Sequence, residues 1–383
     1  MMNVSTQRRL RNGKIELLRF IFATTVLFFH ARLAAWDHDV TLYKGLLLFP
    51  MGKLGVEFFF ILSGFFMAKS IESDLNQHKF IDSNSDSLSD DTFNYVKRRV
   101  RAVLPYHVPF CLAALAIGVY NHFGNNLPKY LINSILTLFF LNSTGLVMGS
   151  KGLIAPEWYL SSMFLTLLLL YPLVKKYWST VPLTVCPLIG FLCIGYIVHT
   201  NEGFPGNIED WGGITLYSNL RALGEMSLGV TSYALSAKLT NHTFSNTLYT
   251  KLLKIVEFLS YLIALLLMCT TLPHIPQLVL LLLFTGLTIS MSIYGFGNNS
   301  TLFQNSFTRY LGAISLPVYI SQDVVRTLVR VTDPPISGTY RFLLIVIITY
   351  VVSVVSVFLH RWTCVQIQHF SKKHVEDYTD YDV

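Results

Sequence analysis

The chain has 383 residues, of which 52% are hydrophobic and only 13% charged, with a mean hydropathy of +0.49 and a formal net charge of +7. A soluble protein carries about a quarter charged residues, so this composition excludes an ordinary water-soluble domain. The basic residues gather in particular loops between apolar runs, a pattern that sets membrane topology and gives no support for a nucleic-acid partner.

A helix needs about 20 apolar residues to cross roughly 30 Å of hydrocarbon, and the chain offers about ten such stretches. The expected fold is therefore all-α. It is a polytopic transmembrane helical bundle of about ten spanning helices plus one partial or re-entrant segment, with both termini cytoplasmic. Residues 1–14 read as a cytoplasmic tail, because Arg8, Arg9, Arg11 and Lys14 precede the first span, IELLRFIFATTVLFFHARLAAW (15–36). That span is too long for a cleavable signal and lacks a small-residue cleavage site. The second span is expected over 54–70, and the polar stretch 71–94 as a flexible cytoplasmic loop within the membrane domain. YVKRRVR then sits at the inner interface before a third span over 102–123.

The stretch 130–148 is ambiguous. If it crossed, Lys175 and Lys176 would fall outside, so it reads as a re-entrant or interfacial piece. The remaining basic residues, Lys238, Lys251, Lys254, Arg361, Lys372 and Lys373, then all lie inside. The transmembrane domain is expected over 15–362, with 363–383 as a cytoplasmic tail. The five cysteines form no CxxC, and the ten histidines other than His30 are placed in loops, tails or near span ends with no i, i+4 pair, so no metal site is expected.

Ionisable side chains inside a membrane are costly and are functional candidates. Arg19 and His30 are eleven residues apart, close to three helical turns and about 16 Å along the axis, so both project from one face. Glu57 falls near the depth of His30 and is the candidate carboxylate to bond its imidazole and fix its tautomer. Ser63 and Gly64 lie near mid-depth, where small residues permit close helix approach. Arg98 and Arg101 sit where a phosphorylated cytosolic donor would arrive, and guanidinium forks suit phosphate; charge anchoring alone would account for them as well. Arg221 and Glu225, at i and i+4, read as a structural ion pair.

Arg19 and His30, GVEFFFILSGFFM and RRVRAVLPY in this order, with weaker echoes in WYLS, RALGEMSLG and SLPVYISQ, resemble the acyltransferase 3 family of integral-membrane acyltransferases over residues 15 to about 330. Two positions depart from the family's pattern: Met163 stands where many members carry glutamate, and Gln322 where a histidine often follows. The resemblance implies an O-acyltransferase of the bacterial cytoplasmic membrane. It would move an acyl group, usually acetyl, from cytosolic acetyl-CoA to a hydroxyl of a surface glycan or its lipid-linked precursor. His30 would be catalytic, and Arg19 would lie on the acyl-CoA path, to which Arg98, Arg101 and Ser63 are the further candidates. The partners implied are acyl-CoA, the glycan acceptor and the lipid bilayer. The rival reading is a transporter or flippase of a lipid-linked glycan, with the same polar residues lining a path.

Overall fold

The computed structural model describes residues 12–35, 41–43, 46–78, 87–122, 127–146, 153–201, 210–241, 247–272, 274–295 and 303–379. Among them are eleven α-helices: α1 (Gly13–Ala34), α2 (Gly55–His78), α3 (Leu88–His122), α4 (Leu127–Leu138), α5 (Trp158–Lys176), α6 (Val185–Asn201), α7 (Tyr217–Asn241), α8 (Thr247–Met268), α9 (Ile275–Tyr294), α10 (Ser306–Thr332) and α11 (Gly338–Thr379). A short antiparallel hairpin, β1 (Thr41–Tyr43) with β2 (Leu46–Leu47), joins α1 to α2. The start of α1 is set by Asn12, whose side chain accepts from the Lys14 and Ile15 amides at 3.1 and 3.3 Å. Asn305 caps α10 in the same way through the Thr308 amide at 2.7 Å.

Polar contacts tie the helices together at two opposite ends. At one end Lys14 of α1 pairs with Glu257 of α8 at 2.7 Å and lies over the Tyr294 ring at the end of α9. Thr240 of α7 meets Ser292 of α9 there, Tyr233 bonds Glu72 of α2, and Lys175 of α5 pairs with Asp91 of α3 at 2.8 Å. At the other end the Met51 amide meets the Met268 carbonyl, Tyr217 meets Thr200, and Arg341 of α11 pairs with Asp333 after α10. Consecutive long helices thus run in alternate directions, with α4 lying at one end between α3 and α5.

Inside the bundle α1 packs chiefly on α10, and α7 touches α2, α5, α6 and α9. A Cβ on Gly64 would collide with the Met226 backbone, and one on Gly229 with the Ile61 carbonyl, so α2 and α7 cross backbone to backbone. The expected packing role of Gly64 is met here. The outer face is apolar: Leu343, Ile347, Val351, Val354 and Phe358 form an exposed stripe at helical spacing along α11. Among the described residues six helices are long and apolar enough to cross a bilayer on their own, and Val185–Asn201 is a shorter apolar one. The protein is an integral membrane protein.

Within the ambiguous segment lies α4, whose 12 residues span about 18 Å, too short to cross, in keeping with the partial segment expected there. Two boundaries differ from the sequence reading. Both ends of the expected loop 71–94 are helical, with Lys175 supplying the positive charge that lets Asp74 and Asp91 fold beside it, at 3.9 and 2.8 Å; residues 79–86 lie outside the described ones. The last helix continues past residue 362 to Thr379, because nothing in the sequence there breaks it.

Candidate active site

His30 lies in the last third of α1, half-buried against α10. Its Nδ1 is 3.3 Å from the Gln322 side-chain oxygen, and the Gln322 amide nitrogen donates to the Tyr319 carbonyl at 2.8 Å. Gln322 is 1% exposed, so packing as well as bonding holds its side chain. The charges acting on His30 are those of Arg326 and Asp323, which pair with each other on the same helix. Asp323 also accepts from the Ala155 amide at 2.8 Å, so it caps the turn that leads into α5. The imidazole is therefore held by α10 on its own and on α10's link to α5.

Glu57 does not serve as its partner. It is fully buried and bonds Arg221 of α7, which in turn lies 3.6 Å from Glu225 and stacks over the Trp158 ring at 5.2 Å from the centroid. The expected Arg221–Glu225 pair forms, but it is one arm of a three-residue knot. The physical reason is that a dry carboxylate needs a full opposite charge, and the close α2–α7 crossing puts Arg221 within reach. A neutral imidazole on another helix offers much less.

At the opposite end of the same α1 face, Arg19 pairs with Glu16 at 3.1 Å. Arg98 and Arg101 of α3 are exposed. The arginine between them, Arg99, is turned inward and donates two bonds to the Tyr95 hydroxyl at 2.9 and 3.2 Å. Arg19 and Arg99 both act on Tyr159 of α5, whose hydroxyl is 3.2 Å from Ser63. Ser63 also bonds the Phe59 carbonyl at 2.7 Å and meets the Met163 sulfur at 3.4 Å. The Tyr159 ring lies 5.6 Å from that of Tyr319, whose carbonyl holds Gln322. A polar seam thus runs from Arg19 and Arg99 through Ser63, Tyr159 and Tyr319 to His30. Arg98 and Arg101 are not part of it.

Sequence reasoning missed Arg99, Asp323 and Arg326, although the run QDVVR inside an apolar helix carried the signal of buried charge. It also placed every histidine but His30 near the edges. His107 is instead fully buried in α3, stacked on Phe140 at 4.2 Å, with Nε2 3.5 Å from Glu157. Asn142 donates to Glu157 at 3.3 Å, and Cys111 completes the group. His, Cys and carboxylate are zinc-type donors. The Cys111 sulfur, however, is 3.7 and 3.5 Å from the two ring nitrogens. A metal on either nitrogen would lie outward in the ring plane and hold a sulfur much nearer that nitrogen than the other. Near-equal distances mark a thiol packed against the ring.

Neither the comparison with curated proteins nor that with solved structures finds a match for this chain. A family model described as an acyltransferase domain matches residues 12–361, which takes in α1 through the apolar part of α11 and every residue of the seam. The chain belongs to the acyltransferase 3 family and is a membrane acyltransferase.

Proposed function

We propose that this protein is an O-acyltransferase that moves an acetyl group from cytosolic acetyl-CoA to a hydroxyl of a surface glycan or its lipid-linked precursor. The observation that carries this reading is the polarity of the seam. The charges of two guanidinium groups, Arg19 and Arg99, bear on Tyr159 toward one end, and a braced imidazole, His30, lies near the other. Guanidinium groups suit the phosphates of CoA. An imidazole with one bare nitrogen suits the proton of an attacking hydroxyl.

In this reading His30 removes that proton through a ring nitrogen while the hydroxyl oxygen bonds to the thioester carbonyl carbon. Collapse of the tetrahedral adduct breaks the carbon–sulfur bond, and the departing thiolate takes the proton back from the ring. Each acetyl transferred yields one free thiol, and His30 ends as it began. All the long helices cross the bilayer, with the start of α1 and the end of α11 on the cytoplasmic side of a bacterial inner membrane. The alternation of helix direction and the basic residues at that end support this orientation.

The test uses purified protein in liposomes with acetyl-CoA labelled on the acetyl group, and soluble or lipid-linked glycans as acceptors. Label is expected to reach glycan with the wild type and not with His30→Ala. Glycan crossing the bilayer with no label transferred would replace this reading with that of a flippase.

A further inference from the structure

We infer that Gln322 is the positioning residue of the imidazole: it holds His30 in the tautomer that carries its hydrogen on Nδ1 and leaves the lone pair on Nε2. The use of that lone pair in catalysis rests on the acyl-transfer reading; the tautomer rests on geometry.

A main-chain carbonyl only accepts hydrogen bonds. The Gln322 atom 2.8 Å from the Tyr319 carbonyl is therefore its amide nitrogen, since an oxygen there would face another oxygen. The remaining amide atom, the oxygen, then faces His30 Nδ1 at 3.3 Å. An amide oxygen also only accepts, so the bond requires a hydrogen on Nδ1. A neutral imidazole has one such hydrogen, and Nε2 is left with the lone pair.

The other groups around the ring agree with this. The Val26 carbonyl, one turn earlier on α1, is a further acceptor acting on His30. From α10, Asp323 and Arg326 are bonded to each other, and Asp323 to the Ala155 amide as well. The group in direct contact with the ring is thus a neutral amide, which orients it without adding charge. Gln322 has no other orientation that keeps both of its bonds, and its burial prevents water from replacing either.

The chain of fixed atoms begins at Tyr319, whose hydroxyl donates to the Pro156 carbonyl at 2.9 Å. That bond anchors α10 to the turn before α5 at the level of Gln322. The packing of α10 against α1 therefore sets which nitrogen of His30 is bare.

The experiment is solid-state nitrogen NMR of the full-length protein in liposomes, with its histidine side chains labelled and His30 assigned by difference from His30→Ala. Acetyl transfer is measured on the same samples. The wild type is expected to show His30 neutral with its hydrogen on Nδ1. Gln322→Leu is expected to lose that single state for a mixture and to slow transfer by about five- to tenfold. Gln322→Glu keeps an acceptor for Nδ1 but loses the bond to the Tyr319 carbonyl and adds a charge, so it is expected to keep the Nδ1 hydrogen and recover only part of the rate. A wild-type ring with its hydrogen on Nε2, or a Gln322→Leu protein with unchanged ring signals, would overturn the assignment. Changed signals with an unchanged rate would remove Gln322 from the catalytic path. A wild type that holds the Nδ1 tautomer yet transfers no acetyl would sink the acyl-transfer reading instead.

Discussion

Two of the polar groups in the apolar interior are built in opposite ways. Between α2 and α7, Glu57, Arg221 and Glu225 are each less than a tenth exposed and pair through full charges. Between α1 and α10, His30 is half-buried and is met by a neutral amide, while the nearest charges, Asp323 and Arg326, are spent on each other. The first arrangement is sealed from solvent and locks two helices that already touch through Gly64 and Gly229. The second leaves a ring nitrogen with its lone pair. A buried ion in a membrane protein is thus not one kind of signal. What separates the two is whether the partner is a full opposite charge sealed from solvent or a neutral amide beside a half-buried ring.

The sharpest break in this contrast is expected from His30→Ala. Loss of a general base costs about a hundred- to ten-thousandfold in rate, and transfer of labelled acetyl should fall by that order while the thermal unfolding midpoint in detergent stays near the wild type's. Glu57 should behave in the reverse manner. Glu57→Ala takes from Arg221 its nearer carboxylate in a dry interior, leaving Glu225, and is expected to destabilise the fold by about 3 kcal/mol. Replacing both as Glu57→Leu with Arg221→Leu should be less harmful than the two single losses added together. A thermal double-mutant cycle reads this, and additive losses would dissolve the knot as a unit.

A smaller effect is expected at the crossing itself. Gly229→Val forces α7 away from the Ile61 carbonyl and should cost about 1–3 kcal/mol, again read from unfolding, with transfer rate per folded molecule little changed. Last come the arginines at the far end of the seam. Arg19→Ala and Arg99→Ala should each raise the KM for acetyl-CoA by about tenfold, as loss of a charge-assisted bond to phosphate would. Arg98→Ala and Arg101→Ala, which are exposed, should change it by less than about twofold. Equal effects from all four would return the donor site to the surface cluster.

Much of this was legible beforehand. Hydropathy alone marks an integral membrane protein, because a chain with so few charges has no way to coat itself in water. The motifs around Arg19 and His30 carry the family, and helical periodicity puts both residues on one face of α1, since three turns of helix is a local property. The partners were not legible. Glu57 was assigned to His30 by depth, and depth says nothing of azimuth: its side chain points across the α2–α7 crossing to Arg221. Arg99 reads like its neighbours in RRVR, yet only its direction from α3 turns it inward. Gln322 stands out in the sequence only as a departure from the family's pattern. It becomes the partner of His30 because α10, some 290 residues later in the chain, packs along α1. Spacing fixes the faces of a helix; which face meets which neighbour is a long-range packing outcome, and here that packing decided the chemistry of the imidazole.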